Sequence, residues 1–198
     1  MEIKTITSEL IMENTYIVKR ESDIIVIDPG CSPEQLHSQI SNFKSQIKYV
    51  LLTHGHYDHT AALGNFDKST IYAHIDEKSL IEDPEYNMSA YAGKPVKYTG
   101  INYYTGKKHE MDGIEFFHVP GHTAGGVLIN IEGALFTGDT LFADTVGRTD
   151  IPTGSSKNLR KSLEIFNSFD KNIICYPGHG PRFSLAKAFN SNFYLKKS

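Results

Sequence analysis

The residues best suited to metal chemistry lie in one short segment, Thr53-His54-Gly55-His56-Tyr57-Asp58-His59. Three imidazoles and one carboxylate fall within six positions, and these groups are ligands for zinc, iron or manganese. Residues 48–52 are a candidate for a buried strand, so we expect the segment to belong to the loop at the end of that strand. A cluster confined to one short segment cannot complete the coordination spheres of two metal ions. Further ligands must therefore come from elsewhere in the chain.

Three other segments repeat this arrangement, with a strand-like run followed by glycine and a candidate ligand. They are Val119-Pro120-Gly121-His122, Phe136-Thr137-Gly138-Asp139 and Tyr176-Pro177-Gly178-His179. Glycine lets the backbone adopt positive φ and approach an ion closely. Because each candidate ligand follows a predicted strand, we expect them to lie along one edge of a sheet sandwich.

Taken together, these four segments resemble those of a known family. The ordered set of candidate ligands is similar to that of the metallo-β-lactamase superfamily, and in particular to its hydroxyacylglutathione hydrolase (glyoxalase II-like) branch in single-domain form. The set comprises His54, His56, Asp58, His59, His122, Asp139 and His179. The resemblance spans nearly the whole chain. It implies one domain over residues 1–198 with an α+β fold, the four-layer αββα metallo-β-lactamase sandwich.

The resemblance also implies a role for each ligand. His54, His56 and His122 would bind a first metal ion, and Asp58, His59 and His179 a second. Asp139 would bridge the two ions. The expected cofactor is a pair of zinc ions, with iron or manganese as alternatives, and Asp58 and Asp139 are the expected catalytic residues.

The activity implied is hydrolysis of a thioester of the S-(2-hydroxyacyl)glutathione type. Two ions ~3.5–4 Å apart share a water and lower its pKa to near neutrality, so that a metal-bridging hydroxide can attack the carbonyl carbon. A thioester suits this chemistry because a thiol, with a pKa of about 8.5, leaves as thiolate with little protonation.

Other functions stay open. The longer glyoxalase II enzymes use a C-terminal helical domain to contact glutathione, and only 19 residues follow His179 here, so we expect that domain to be absent. Another ester, thioester or lactone is therefore an alternative substrate. A mononuclear iron persulfide dioxygenase, using His54, His56 or His59, His122 and Asp139, is the alternative of a different class. A purely structural metal site is disfavoured, because structural zinc sites are usually rich in cysteine.

Three further positions deserve separate predictions. Asp28 ends an apolar strand, where it either orients a ligand histidine or forms the turn, and both interpretations stay open. Gly147-Arg148-Thr149-Asp150 resembles a loop of the same branch, and we expect an Arg–Asp contact to hold it in preference to substrate contact. His118 falls within a predicted strand and is not expected to bind metal.

The hydrophobic pattern predicts alternating strands and helices. The predicted strands are Glu2–Thr7, Thr15–Lys19, Asp23–Ile27, Lys48–Leu52, Thr70–Ala73, Lys108–Met111, Ile114–Val119, Gly126–Ile131, Ala134–Thr137 and Lys171–Tyr176. The predicted helices run from Pro33 to about Phe43, over residues 60–66, over Ile75–Ile81 and Ser155–Phe169, and from Ser184. The stretch Pro84–Gly106 is predicted to be a long surface excursion, and one interpretation is that it forms a lid over the site.

The net charge and the apolar content of the chain limit the kinds of molecule that we expect it to bind. A net charge of −3 gives no reason to expect a nucleic-acid partner, and no apolar run approaches the roughly 18 residues of a membrane span. Cys31 and Cys175 do not form a disulfide framework, and Cys175 is expected to be buried. We therefore expect a cytoplasmic enzyme with a small-molecule thioester or ester as substrate. The oligomeric state is left open.

Overall fold

The chain is described by a computed structural model that covers residues 1–9, 11–41 and 45–197. It divides into two compact units, Met1–Tyr104 and Thr105–Ser198, each built on a six-stranded sheet. Among these residues no helix combines the length and the apolar character needed to cross a bilayer.

The sheet of the first unit follows the order of the chain. Its strands are β1 (Glu2–Thr7), β2 (Asn14–Lys19), β3 (Ile24–Ile27), β4 (Ile47–Leu51), β5 (Ile71–His74) and β6 (Asn102–Tyr104). β1, β2 and β3 pair antiparallel, whereas β3, β4, β5 and β6 run parallel. The carboxyl ends of the parallel strands therefore meet at one edge of the sheet. The chain leaves β3 at Asp28 and β4 just before Thr53, so these two residues lie at that edge.

Among the described residues of this unit, three α-helices accompany the sheet: α1 (Pro33–Ile40), α2 (Tyr57–Thr60) and α3 (Lys78–Ile81). α1 begins with the predicted signals, since Ser32 and Gln35 form a capping box and Pro33 occupies the first turn. Leu36 of α1 packs into a core with Ile17 and Val26 of the sheet. All four residues of β3 are fully buried, which explains its uninterrupted apolar run.

The second unit has its own sheet and two α-helices. Its strands are β7 (Lys108–Met111), β8 (Ile114–His118), β9 (Val127–Ile131), β10 (Ala134–Gly138), β11 (Ile174–Pro177) and β12 (Phe183–Ser184). They are arranged in the order β12-β11-β10-β9-β8-β7, and only β10 and β11 pair parallel. The helices are α4 (Ser156–Ser162) and α5 (Leu185–Ser191). β8, β10 and β11 point the same way, so their carboxyl ends share one edge.

Each of the ten predicted strands overlaps an observed strand, and the helix predicted from Ser184 is confirmed by α5, which Ser184 caps. Three other helices were predicted too long. Ser155–Phe169 is α-helical only to Ser162 and continues as a 3₁₀ helix over Leu163–Ser168. Leu163 and Phe166 are three residues apart and both buried, a spacing that a 3₁₀ helix places on one face. The predicted helix over residues 60–66 is instead α2 followed by a 3₁₀ turn at Leu63–Asn65.

Two other differences concern short elements. The excursion Pro84–Gly106 contains β6, and β12 was not predicted at all, because strands of two or three residues have no measurable period. Ile75–Ile81 forms a 3₁₀ turn followed by α3. The predicted end of the first helix, Phe43, lies outside the described residues.

Candidate metal centre

The ligand segment of the first unit is compact and largely buried. His54, His56 and His59 expose 2%, 4% and 0% of their surfaces. The ring of His54 lies 4.8 Å from that of His56 and 4.1 Å from that of His59, centroid to centroid. Asp58 Oδ2 lies 3.7 Å from His59 Nε2. The structure thus brings together all the ligands predicted in this unit.

Asp28 orders two of these histidines. Its backbone turns sharply out of β3 with φ of 49°, which aspartate tolerates better than most residues. Its carboxylate accepts hydrogen bonds from Thr53 N at 2.7 Å, Thr53 Oγ1 at 2.5 Å and His59 Nδ1 at 3.0 Å. Because the Thr53 hydroxyl donates to Asp28, it accepts from His54 Nδ1, 3.1 Å away. Of the two interpretations left open for Asp28, the structure supports the orientation of a ligand histidine.

These bonds fix the tautomers of both rings. With Nδ1 carrying the proton in His54 and His59, the lone pair of each imidazole resides on Nε2, which is the form that binds a metal ion. Thr53 was not singled out from the sequence. Its position directly before the histidine segment, at the end of a parallel strand, is the signal that indicates it.

Glu77 holds the backbone between His54 and His56. Its side chain is buried, with 1% of the residue exposed, and Glu77 Oε2 accepts a 2.7 Å hydrogen bond from Gly55 N. A Cβ atom at position 55 would lie 2.6 Å from Ile81 Cγ1 and 2.8 Å from Leu80 Cδ2, so any larger residue would displace these side chains. Glu77 was also missed by the sequence analysis, although it follows β5 at the same edge of the sheet.

A further buried acid, Glu13, lies near this cluster. Thr15 Oγ1 donates to the Glu13 carboxylate and accepts from the backbone N–H groups of Gly30 and Cys31, both at 3.0 Å. Burial raises the pKa of Glu13 well above its usual value, and this effect exceeds the opposing attraction of His59. The negative charges of Asp28 and Asp58 raise the pKa further.

The second unit brings its three predicted ligands together around Asp139. Asp139 Oδ2 lies 3.7 Å from His122 Nε2 and 3.6 Å from His179 Nε2. Asp139 follows β10 and His179 follows β11, and Gly178 N donates to Gly138 O at 2.8 Å where these parallel strands end. His118, by contrast, donates through Nε2 to the carbonyl of Ala124 at 2.9 Å.

The loop at Gly147-Arg148-Thr149-Asp150 holds His122 through its backbone. His122 Nδ1 donates to the carbonyl oxygen of Arg148 at 2.8 Å, which again leaves the lone pair on Nε2. A Cβ atom at Gly147 would overlap the carbonyl oxygen of Asp139, so glycine is required for this close approach. The predicted Arg–Asp contact is confirmed, since Arg148 Nε and Nη2 each donate to Asp150 at 2.8 Å. The bond from His122 to the loop backbone was not predicted.

The donor set fits divalent metal ions. A separation of 3.6–3.7 Å between a carboxylate oxygen and an imidazole Nε2 is too long for a good hydrogen bond. Two ligand atoms bound to one tetrahedral zinc at about 2.0–2.2 Å lie about 3.4 Å apart, close to the spacing seen here. Each unit thus presents imidazole and carboxylate groups at a spacing suited to sharing a cation. That both sets serve the same pair of ions stays a prediction.

Comparison with known proteins identifies the family. The family model described as the metallo-beta-lactamase superfamily matches residues 9–179. The chain belongs to the metallo-β-lactamase superfamily. A probable metallo-hydrolase of Streptococcus pyogenes is 31% identical, with 97% of this chain and 89% of that protein covered. A hydroxyacylglutathione hydrolase (GloC) of Haemophilus influenzae is 29% identical, with 98% of each chain covered.

Solved structures agree with this assignment. The crystal structure of TTHA1623 in a di-iron-bound form superposes with a TM-score of 0.87 at 28% identity, covering 97% of this chain and 100% of that one. The predicted fold class is therefore confirmed: the chain has the α+β metallo-β-lactamase fold, with two mixed sheets flanked by helices. Membership of this superfamily, together with the clustered His and Asp side chains of each unit, supports a metal-dependent hydrolase.

Proposed function

We propose that this metallo-β-lactamase superfamily member hydrolyses thioesters of the S-(2-hydroxyacyl)glutathione type with two bound metal ions. The seven proposed ligands are His54, His56, Asp58, His59, His122, Asp139 and His179. The observation that carries the proposal is the carboxylate of Asp139, which lies within 3.7 Å of the Nε2 atoms of two histidines. The similarity to the Haemophilus hydroxyacylglutathione hydrolase favours a thioester over other substrates.

The residues of this chain prepare the site for such chemistry. Bound divalent ions lower the pKa of water to near 7 and polarise a carbonyl oxygen, so they supply a nucleophile at neutral pH. Asp28, directly and through Thr53, keeps His59 and His54 in the tautomer that can bind an ion through Nε2. The carbonyl of Arg148 does the same for His122. Because a thiolate leaves with little protonation, the reaction makes only a small demand on a general acid.

The metal is proposed to be zinc, although the di-iron form of TTHA1623 makes iron a natural alternative. Metal content by mass spectrometry, on protein from unsupplemented growth, distinguishes the candidates when it is paired with a thioester hydrolysis assay. Two metal ions per chain with thioester turnover are the expected result. One iron per chain with oxygen uptake on glutathione persulfide would contradict the proposal and indicate a dioxygenase.

Replacing Asp139 tests the proposed bridge. Asp139→Ala is expected to lower the metal content below two ions per chain and thioester turnover by at least about a hundredfold, because the loss of a metal ligand removes nucleophile activation. The matched control is Asp144→Ala, which changes an exposed acid five residues further along the chain. An Asp139→Ala variant with both metals and full activity would refute the bridged site.

A further inference from the structure

The turn formed by residues 29–31, which follows β3, packs against α2, the helix that carries two proposed metal ligands. Pro29 O accepts a 2.8 Å hydrogen bond from Ala62 N, two residues past the end of α2. A Cβ atom at Gly30 would overlap the carbonyl oxygen of Asp58, so the backbone of turn 29–31 contacts the backbone of this proposed ligand. A shift of the turn would therefore move Asp58.

One hydroxyl group, that of Thr15 in β2, holds turn 29–31. The side chain is fully buried, and Thr15 Oγ1 accepts from the backbone N–H groups of Gly30 and Cys31, both at 3.0 Å. A hydroxyl group has two acceptor positions and a single proton to donate. Because both acceptor positions are occupied, the proton is donated to the Glu13 carboxylate, whose two oxygens lie 3.3 Å away. Glu13, Thr15 and the turn thus form one chain of hydrogen bonds.

Glu13 is itself fixed in place at the far end of this chain. It is fully buried, Glu13 N donates to Ser8 Oγ at 3.0 Å, and Ser8 N donates to Glu13 O at 2.8 Å. Glu13 Oε2 would lie 2.6 Å from a Cβ atom at Gly30, so the carboxylate also packs against the turn. Burial raises the pKa of Glu13, the attraction of His59 lowers it and the charge of Asp58 raises it, so both proposed ligands lie near this carboxylate.

We propose that Glu13 and Thr15 are positioning residues of the metal centre: through turn 29–31, they place Asp58 and His59 for the second metal ion. This inference rests on the proposed function, which supplies the ligand assignment. It extends the site to two residues that bind neither metal nor substrate. Their hydrogen bonds hold the turn against which the ligand helix packs.

The proposed effect is selective for one of the two ions. His54, a proposed ligand of the first ion, is held by Asp28 through Thr53, and Asp28 N is bonded to Leu51 O of the sheet. His54 thus has supports that lie outside the network of Thr15. Loss of the Thr15 hydroxyl is expected to weaken binding of the second ion about tenfold, the lower end of the range for groups that support ligands, and of the first ion by less than about twofold.

Stepwise titration of the metal-free full chain with zinc, against a chromogenic chelator, measures both affinities without turnover. Asp58→Ala and His54→Ala identify the step that belongs to each ion. Thr15→Val removes the hydroxyl, keeps the branched shape and is expected to weaken the Asp58 step. Thr15→Ser retains a hydroxyl and is expected to restore the affinity. Thr7→Val is the matched control, because it removes a 3.0 Å hydroxyl bond to Asn14 at an exposed position of the same hairpin, and both steps should stay unchanged.

A second pair of variants keeps the test decisive if Thr15→Val fails to fold. Glu13→Leu replaces a buried acid by an apolar side chain of similar volume, so we expect it to fold. The Thr15 hydroxyl then lacks its acceptor, and the Asp58 step is expected to weaken. Glu13→Gln supplies an acceptor without a charge and is expected to recover part of this loss.

The proposal is overturned if Thr15→Val leaves the Asp58 step unchanged, if it weakens both steps equally, or if Thr7→Val has the same effect. It is also overturned if Thr15→Ser and Glu13→Gln recover no affinity. Hydrolysis of an S-(2-hydroxyacyl)glutathione is measured on the same preparations. A selective effect of Thr15→Val without turnover refutes the proposed function alone, whereas turnover with an unchanged Asp58 step refutes the positioning role alone. A parent protein that binds a single ion refutes both.

Discussion

Asp28 shows how one side chain can order two proposed ligands. Its two carboxylate oxygens accept three hydrogen bonds, from Thr53 N, Thr53 Oγ1 and His59 Nδ1. All three partners donate hydrogen bonds, so position 28 requires a side chain whose polar atoms are all hydrogen-bond acceptors. Asparagine has nearly the same shape, but its amide nitrogen would face one of these donors.

We therefore predict that Asp28→Asn lowers metal affinity about ten- to hundredfold, the range usual for partners of ligand histidines. Competition with a chromogenic chelator measures this affinity. Asp112→Asn is the matched control, because Asp112 also has positive φ, 54°, and lies exposed in the turn between β7 and β8. Equal affinities for the two variants would show that Asp28 does not order the ligands.

At this scale, the sequence identifies ligands better than their supports. His54, His122 and Asp139 could be selected because imidazole and carboxylate groups follow strands in a recurring pattern. The carbonyl of Arg148, which accepts from His122, could not be selected, since every residue has a carbonyl group. A hydrogen bond to a backbone carbonyl does not depend on residue type, so it can be found only in the three-dimensional structure.

At the scale of elements, strand ends were predictable and helix types were not. β3 is an uninterrupted apolar run that stops at Asp28, and β4 ends in the buried pair Val50 and Leu51 shortly before Thr53. This pattern placed the candidate site at the ends of strands. The predicted helix Ser155–Phe169 was based on a stripe of apolar residues, Leu159, Leu163, Phe166 and Phe169. The later members of this stripe are three residues apart and lie in or next to a 3₁₀ helix. Over so few turns, the periods of the two helices are too similar to distinguish from the sequence.

Glu77 links one element to another, since it follows β5 and holds the loop that follows β4. Glu77→Leu keeps a similar volume but leaves the N–H of Gly55 without this acceptor. We predict a loss of about 1–3 kcal/mol in the free energy of unfolding and a fall of about tenfold in metal affinity, because His54 and His56 flank Gly55. Urea unfolding and chelator competition measure the two effects.

Glu77→Gln separates the hydrogen bond from the charge. Its amide oxygen can still accept from Gly55 N, so this variant is expected to recover most of the metal affinity lost in Glu77→Leu. Glu85→Leu, at an exposed position, controls for the introduction of an apolar side chain. The positioning role is refuted if Glu77→Leu binds metal as tightly as the Glu85→Leu control.

At the scale of the whole molecule, each unit follows the same plan: a mixed sheet carries its proposed ligands at the carboxyl ends of strands that point one way. The sequence indicated strands and ligands in both halves, but it did not give the order of the strands. β10 and β11 are adjacent although α4 lies between them in the chain, and pairings over such separations have no local signature. The family resemblance supplied the fold class that the local pattern could not.

The free energy of unfolding is a property of the whole chain. Buried Glu13 is expected to make this free energy fall as the pH rises. Burial raises the pKa of Glu13 above its usual value of 4.5 in the folded state. Between pH 4.5 and this raised pKa, the folded protein holds a proton that the unfolded chain has released, so stability falls as pH rises. Glu13→Gln removes this linkage and keeps an oxygen that can accept from Thr15.

We predict that the metal-free Glu13→Gln variant is more stable than the parent protein at pH 7 and that its advantage disappears as the pH falls to about 4. Urea unfolding in the presence of a chelator, at intervals from pH 4 to pH 8, measures the difference, and other titrating groups cancel because both proteins share them. Metal-free protein is required because a nearby cation would stabilise the ionised carboxylate. Glu2→Gln, at an exposed position of β1, should show a difference that does not change with pH. If Glu13→Gln behaves like this control, the folded protein does not retain the extra proton. The effect of burial on the pKa of Glu13 would then be cancelled by the charges of neighbouring groups.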